Sequence, residues 1–387
     1  MHDPTVSSPD RSAPPPNAIG RLVGAAVAWW LHRPTRHVPV AVDAAAMRLH
    51  RRLPVADLHA DCLLWGRDLS VRGRIGHVDL PRLLEGGVAL QVFSVVTHAP
   101  KGQNIERNDA AGDNIALLAA LQRWPAPARS SLLERALYQA RRLAELEAAS
   151  GGRLKIVRTR RNLDQVLARR ARGEPVVGAL LSLEGAHALE GRLDNLELLF
   201  DAGFRMIAPS HFFDTDVGGS AHGVHKGGLT ALGRRWLARM ERMQLAIDLA
   251  HASEATIDDV LTLATRPLIV SHTGVKGTCD NPRNLSDDHI RRIAAGGGLI
   301  GIGFWDTATG GTDIDAIVRA IRHAVAVAGV EHVAYGSDFD GAVRTPIDAA
   351  GLPQLTAALL RAGFAEEDIG CIAGGNVMRV LAGLLPE

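Results

Sequence analysis

Eight short apolar segments, each ending in a polar residue and followed by an Ala-, Leu- and Arg-rich stretch, constrain this chain more than anything else in it. They occupy 55–59, 88–96, 176–183, 204–209, 245–249, 267–271, 299–304 and 333–337. Runs of this length, bounded by Gly and Pro, suit strands buried on both faces, as in a parallel sheet. The stretches between them predict helices at 109–122, 129–149, 193–202, 229–243, 254–264, 287–295, 314–328 and 352–361. Several open on side chains that accept hydrogen bonds from free first-turn amides, such as Ser253-Glu254 and Ser286-Asp287-Asp288. A further run at 154–157 predicts an accessory strand, because its charged end, 158–161, carries no ligand-type residue.

Eight strand–helix units predict an α/β fold of the (β/α)8 TIM-barrel type over residues 51–387, with a doubly wound open sheet as the alternative. A barrel places functional side chains at the C-terminal ends of its strands. Those ends read Asp57-Leu58-His59-Ala60-Asp61, Ser182-Leu183-Glu184-Gly185, Pro209-Ser210-His211, Asp248-Leu249-Ala250-His251, Val270-Ser271-His272 and Gly336-Ser337-Asp338-Phe339-Asp340-Gly341. In extended chain, residues two apart point the same way, so His59 and Asp61 can converge on one ion. A lone histidine at a strand end reads as a hydrogen-bonded structural residue. Six strands ending in His, Glu or Asp, all facing one cavity, instead call for a cation. Imidazole and carboxylate ligands without thiolate favour zinc, with manganese, iron or cobalt as substitutes. Three His, one Asp and one Glu suit two ions sharing a carboxylate, and two close ions acidify a shared water, which fits hydrolysis.

Composition narrows the alternatives. Lys and Arg total 43 against 42 Asp and Glu, so no basic face for nucleic acid is implied. No strand is followed by GxGxxG or GxxxxGK[ST], which removes support for nucleotide binding. Cys62, Cys279 and Cys371 are odd in number and widely spaced, and read as free thiols of a reducing, cytoplasmic compartment. Residues 1–50 read as an N-terminal extension whose first 17 residues, rich in Pro, Ser and Asp, are expected to be disordered. Its apolar stretch at 22–31 is shorter than the roughly 20 residues of a membrane span. A packing or disordered segment is the reading there; a surface-seeking helix over 20–32, with a membrane-associated or periplasmic location, stays open.

In order along the chain, DLHAD, GHVDLPRLLEGGV (76–88), SLEGAHAL (182–189), SHFFDTDVGGSAHG (210–223), IDLAHAS (247–253), IVSHTG (269–274), PRNLSD (282–287) and GSDFDG resemble the membrane (renal) dipeptidases and their bacterial relatives, the zinc dipeptidases of peptidase family M19. The resemblance runs from about residue 55 to 381. It implies a barrel of metal-dependent hydrolase type with two zinc ions, His59 and Asp61 holding one, His251 and His272 the other, and Glu184 bridging. It also implies that His211 contacts substrate, that Arg283 takes the substrate's C-terminal carboxylate, and that Asp338 shuttles the proton. The expected reaction is hydrolysis of a dipeptide by a hydroxide between the ions, with L-Xaa-D-Xaa substrates and a homodimer left open. The chemistry agrees: His211 can stabilise an oxyanion, Arg283 can bind a carboxylate through two hydrogen bonds, and Asp338 is a better proton carrier than Asp340.

The chain also departs from that pattern. Gly303-Phe304-Trp305-Asp306 stands where animal relatives carry a tyrosine, and Gly310-Gly311 lies where the disulfide partner of Cys279 would be. The glycine-rich loop after His211 reads as a mobile cover, with His222 and His225 as solvent-exposed loop histidines. His187 is expected either to orient a ligand or to be structural. Two rivals stand against the dipeptidase reading. One is another amidohydrolase-like enzyme acting on lactones or other amides; many of these bridge their metals with a carbamylated lysine, whereas Glu184 holds that position here. The other is a non-catalytic barrel, which predicts broken ligand positions.

Overall fold

A computed structural model describes residues 38–387; the apolar stretch at 22–31 lies outside the described residues. Nine strands form among the described residues: β1 Ala56–Ala60, β2 Leu90–Val96, β3 Leu154–Ile156, β4 Val177–Glu184, β5 Phe204–Ile207, β6 Ala246–Ile247, β7 Ile269–Thr273, β8 Leu299–Ile302 and β9 Val333–Tyr335. Every residue of eight of them is buried, as expected of strands covered on both faces. Their pairings are parallel, in the order β6-β5-β4-β2-β1-β9-β8-β7. A parallel bridge between Asp248 and Ile269, with Leu249 N donating to Ile269 O at 2.7 Å, joins the two ends and closes the eight-stranded ring. β3 is the accessory strand: it pairs the first half of β4 (Leu154 with Val177), where β5 pairs only the second half (Leu183 with Ile207).

β6 is shorter than expected because a side chain replaces part of its ladder. Asp248 Oδ1 accepts from Ala250 N at 3.0 Å and from Ser271 N at 2.8 Å. The helix predicted from 109 begins at Asn114, capped by Asp113, whose carboxylate accepts from Ile115 N and Ala116 N. The helix predicted over 129–149 is broken at Ser131, which is extended and caps Glu134 N at 3.2 Å. Four helices of six or more residues were not predicted: Ala44–His50, Leu80–Glu85, Arg160–Ala171 and Asn376–Leu384. Arg160–Ala171 fully buries only Leu163 and Val166, a stripe too narrow to read through its arginines. Asn376–Leu384 packs Val377, Leu381 and Leu384 with Ala56, Leu90, Ile269 and Leu299, the first residues of four ring strands, and so covers the barrel end opposite the ligand-type residues. Its approach requires Gly374, where a Cβ would collide with the Pro54 carbonyl.

Ala44–His50 lies on the domain rather than away from it. His50 Nδ1 pairs with Thr356 Oγ1 at 2.8 Å, and its Nε2 with Gly86 O at 3.0 Å. Among the described residues no helix is long and apolar enough to cross a membrane.

Candidate metal centre

The closed ring delivers side chains from six strand ends into one cavity of about 800 Å³. Glu184 is the last residue of β4, His59 lies in β1 with Asp61 just beyond it, and His272 lies in β7. His211, His251 and Asp338 follow β5, β6 and β9, and Arg283 comes from the segment after β7. All eight are buried. Glu184 stands between two donor sets. Its Oε1 lies 2.9 Å from His251 Nε2, 3.4 Å from His272 Nε2 and 3.5 Å from His211 Nε2. Its Oε2 faces His59 Nε2 at 3.7 Å, and that nitrogen lies 3.4 Å from Asp61 Oδ2 and 3.9 Å from Asp338 Oδ1. Among the described residues three overlapping triads able to hold an ion result: His59-Glu184-His272, Glu184-His211-His251 and His59-Asp61-Asp338.

Backbone conformation aims two of these groups. His251 and Asp338 have φ of 63° and 60°, in the left-handed region that costs a non-glycine residue roughly 1–3 kcal/mol. The His251 carbonyl is anchored by Ala221 N at 2.8 Å.

Hydrogen bonds decide which ring nitrogens carry protons. A carbonyl only accepts, so His222 Nδ1 donates to Ile105 O at 2.7 Å. Burial pushes the His222 pKa down to about 3, so the ring is neutral and its Nε2 accepts from His251 Nδ1 at 3.1 Å. Burial, then Arg283, holds His251 neutral too, which leaves its Nε2 as a bare lone pair. A second relay does the same for His272. Ser271 Oγ donates its one hydrogen to Asp248 Oδ2 at 2.6 Å and accepts from His272 Nδ1 at 2.9 Å. The two lone pairs then face each other, His251 Nε2 to His272 Nε2, at 2.9 Å. Such an arrangement is stable around a cation.

The other donor set also attracts positive charge. Burial opposes a charged His59 ring, but Asp61, Glu184 and Asp338 outweigh it and hold its pKa up to about 10. Asp61 Oδ1 is buried with no hydrogen bond. Imidazoles with fixed tautomers, bridged by one carboxylate, fit divalent ions of the zinc type.

Asp338 and Asp340 differ sharply. Asp340 accepts from His77 N at 2.8 Å and Val78 N at 3.1 Å and pairs with Arg67, so its carboxylate is committed to holding the chain. Asp338 stays at the cavity, its pKa raised to about 8 by burial and Asp61 against the pull of His59 and Arg283. Arg283 donates to the His272 carbonyl at 2.7 Å and lies 5.7 Å from the Trp305 ring. Burial lowers its pKa only to about 10, so it remains charged. Phe304 packs on Tyr335 and Phe339, with ring centroids 5.9 Å and 5.7 Å away. A Cβ on Gly310 would lie 3.5 Å from that of Cys279, within disulfide reach, and all three cysteines are free.

One expectation needs correction. His222, read as a solvent-exposed loop residue, is 1% exposed and stacks on Phe212 with ring centroids 4.7 Å apart; His225 is exposed. The loop doubles back on Asp214, which accepts from Ser220 N, His225 N and Lys226 N, and this turns His222 inward. Its glycines serve close packing, since a Cβ at Gly219 would meet the Gly227 carbonyl. Of the two readings of His187 the structural one fits: both ring nitrogens are buried without a hydrogen bond, and the ring packs 5.1 Å from Phe213 and 6.0 Å from His98. Sequence reasoning also left Asp248 and Ser271 without a role, although both were visible at strand ends.

The model of the membrane dipeptidase family, peptidase family M19, matches residues 43–384. The chain belongs to this family. As an M19 enzyme it is a metallo-dipeptidase, a metal-dependent hydrolase acting on small peptides. Dipeptidase aclJ of Aspergillus oryzae is 31% identical over 215 residues, covering 53% of this chain and 51% of that protein. The crystal structure of dipeptidase AC, a metallopeptidase of family M19, superposes with a TM-score of 0.72 at 27% identity, covering 87% of this chain and 99% of the other. A metallopeptidase from Rhodobacter sphaeroides, solved with a phosphinate mimic of the dipeptide L-Ala-D-Ala, superposes at 0.70 with 29% identity, covering 86% and 99%. Both support the (β/α)8 fold of this M19 dipeptidase.

Proposed function

We propose that the enzyme is a two-zinc dipeptidase for substrates with a free C-terminal carboxylate. The observation that carries this reading is the position of Glu184, whose two oxygens face different donor sets. In this reading His59 and Asp61 hold one ion, His251 and His272 hold the other, and Glu184 serves both. The ions would activate a shared water and polarise the scissile carbonyl.

The protein's own groups do the rest. Arg283 pairs with the substrate carboxylate and sets how far the chain reaches into the site. His211 is held neutral by burial, and with its proton on Nε2 it donates to the carbonyl oxygen as negative charge develops. Asp338, which the positive charge of the ions would keep ionised against the burial that raises its pKa, takes the attacking water's proton and gives it to the leaving amine. Among the described residues no lysine lines the cavity, which favours this reading over the lysine-bridged hydrolases. The L-Ala-D-Ala mimic bound to the Rhodobacter relative supports acceptance of a D-residue at the C-terminal position.

The test is zinc content measured together with hydrolysis of an L-Xaa-L-Xaa and L-Xaa-D-Xaa panel. Cleavage that appears at two zinc equivalents and disappears on chelation supports the reading. Two bound ions with no dipeptide cleaved would overturn it.

A further inference from the structure

The cavity wall is chemically divided, and the division follows the order of strands around the ring. Apart from the candidate ligands and Asp338, its charged lining residues are Arg283, Asp306, Asp340 and Arg344, from the segments after β7, β8 and β9. The segments after β1 and β2 contribute Leu64, Trp65, Ile115, Leu117, Leu118 and Leu121, with the uncharged polar residues Gln103, Asn104 and Asn114 beside them, and no charge beyond Asp61. β2 and β7 stand four strands apart in either direction around the ring, so the wall bearing Ile115–Leu121 faces the one bearing Arg283.

The helix Asn114–Leu121 that builds this wall has no charged residue. Ile115 and Leu118 seat it on the protein, whereas Leu117 and Leu121 are 61% and 41% exposed, one turn apart. Large exposed apolar side chains scattered singly need no explanation, but a pair lining a ligand cavity does. A cavity of about 800 Å³ is near the upper end of the roughly 300–1,000 Å³ usual for small-molecule sites. A dipeptide of small residues leaves most of the apolar wall wet.

We propose that this wall is a subsite for a large apolar side chain on the substrate's N-terminal residue, of leucine or phenylalanine size. The inference rests on the dipeptidase reading above. With the carboxylate at Arg283 and the scissile carbonyl over Glu184, the N-terminal residue extends toward β2, where Leu117 and Leu121 close over its side chain beside Leu64 and Trp65. Covering these groups removes apolar surface from water, and a side chain of this size gains at least about tenfold in kcat/KM over glycine.

The experiment measures kcat/KM of the zinc-loaded enzyme on Xaa-Ala with Xaa as Gly, Leu, Phe, Lys or Glu, and on Ala-Xaa with the same set. The expected result is that Leu-Ala and Phe-Ala exceed Gly-Ala, Lys-Ala and Glu-Ala by at least about tenfold. In the double variant Leu117→Ser, Leu121→Ser the Phe-Ala to Gly-Ala ratio collapses toward one. Both positions are exposed, so the variant is expected to fold, which circular dichroism checks. A flat profile, an apolar preference confined to the Ala-Xaa series, or an unchanged ratio in the variant overturns the subsite. If no dipeptide in either series is cleaved, the dipeptidase reading itself fails, and that result is distinguishable from a flat profile.

Discussion

His251 and His272 point their Nε2 atoms at each other across 2.9 Å, and each has its other ring nitrogen committed as a donor. Both rings sit against one oxygen of Glu184 while His59 sits against the other. Replacing Glu184 by Gln removes the charge common to both sets. The expected outcome is metal content reduced to one ion or fewer per chain with the fold intact, read by elemental analysis and circular dichroism.

His222 fixes the tautomer of His251 through the carbonyl of Ile105. His222→Phe keeps the stack on Phe212 and removes the relay. Partners of this kind are worth roughly 10–100-fold in metal affinity or activity. The expected loss of affinity is measured by zinc titration calorimetry. The metal-free variant should also show the ¹⁵N shifts of His251 moving toward a mixture of tautomers, which a change in packing alone would not produce.

Asp338 and Asp340 should separate by kind of defect. Asp338→Asn is expected to keep its metal and lose about 10²–10⁴ in kcat. Asp340→Asn leaves Arg67 without its countercharge in a site where Asp340 itself is fully buried. The expected effect is a loss of roughly 3–5 kcal/mol of stability, with metal binding lost only as the fold is lost. Urea unfolding alongside single-turnover assays distinguishes the two.

His187 makes the metal-free protein acid-sensitive. Its folded-state pKa is pushed down to about 3, first by burial and then by His98 and Arg135. The unfolded chain takes up the proton near pH 6.5 and the folded chain does not, so stability falls as pH drops from about 6.5 toward 3. The slope per such group is about 1.4 kcal/mol per pH unit. His187→Leu should be more stable at neutral pH by roughly 1 kcal/mol, because it removes ring nitrogens buried without partners. Its stability-versus-pH curve should be shallower over that window by one proton, measured by urea unfolding at each pH.

The ring strands and the ligand-type residues at their ends were legible because buried parallel strands leave near-continuous apolar runs, and the first polar residue beyond each run marks the barrel mouth. Less was legible where the signal was weak or overridden. Arg160–Ala171 hides a narrow apolar stripe among arginines, and β6 yields its ladder bonds to the Asp248 carboxylate. His222 was misread because its loop position suggested solvent, whereas the turn around Asp214 that buries it depends on amides at 220, 225 and 226.

From the sequence alone came the barrel, its accessory strand and the candidate set His59, Asp61, Glu184, His211, His251, His272, Arg283 and Asp338, since each depends on local apolar patterning or on a motif in one stretch of chain. The tertiary structure alone decided which nitrogen of each ring is bare, which aspartate is tied to Arg67, and which wall of the cavity is apolar. Those outcomes depend on partners far apart in the chain, as with His222 and Ile105, 117 residues from one another. Only a closed ring of strands brings such atoms to hydrogen-bond distance.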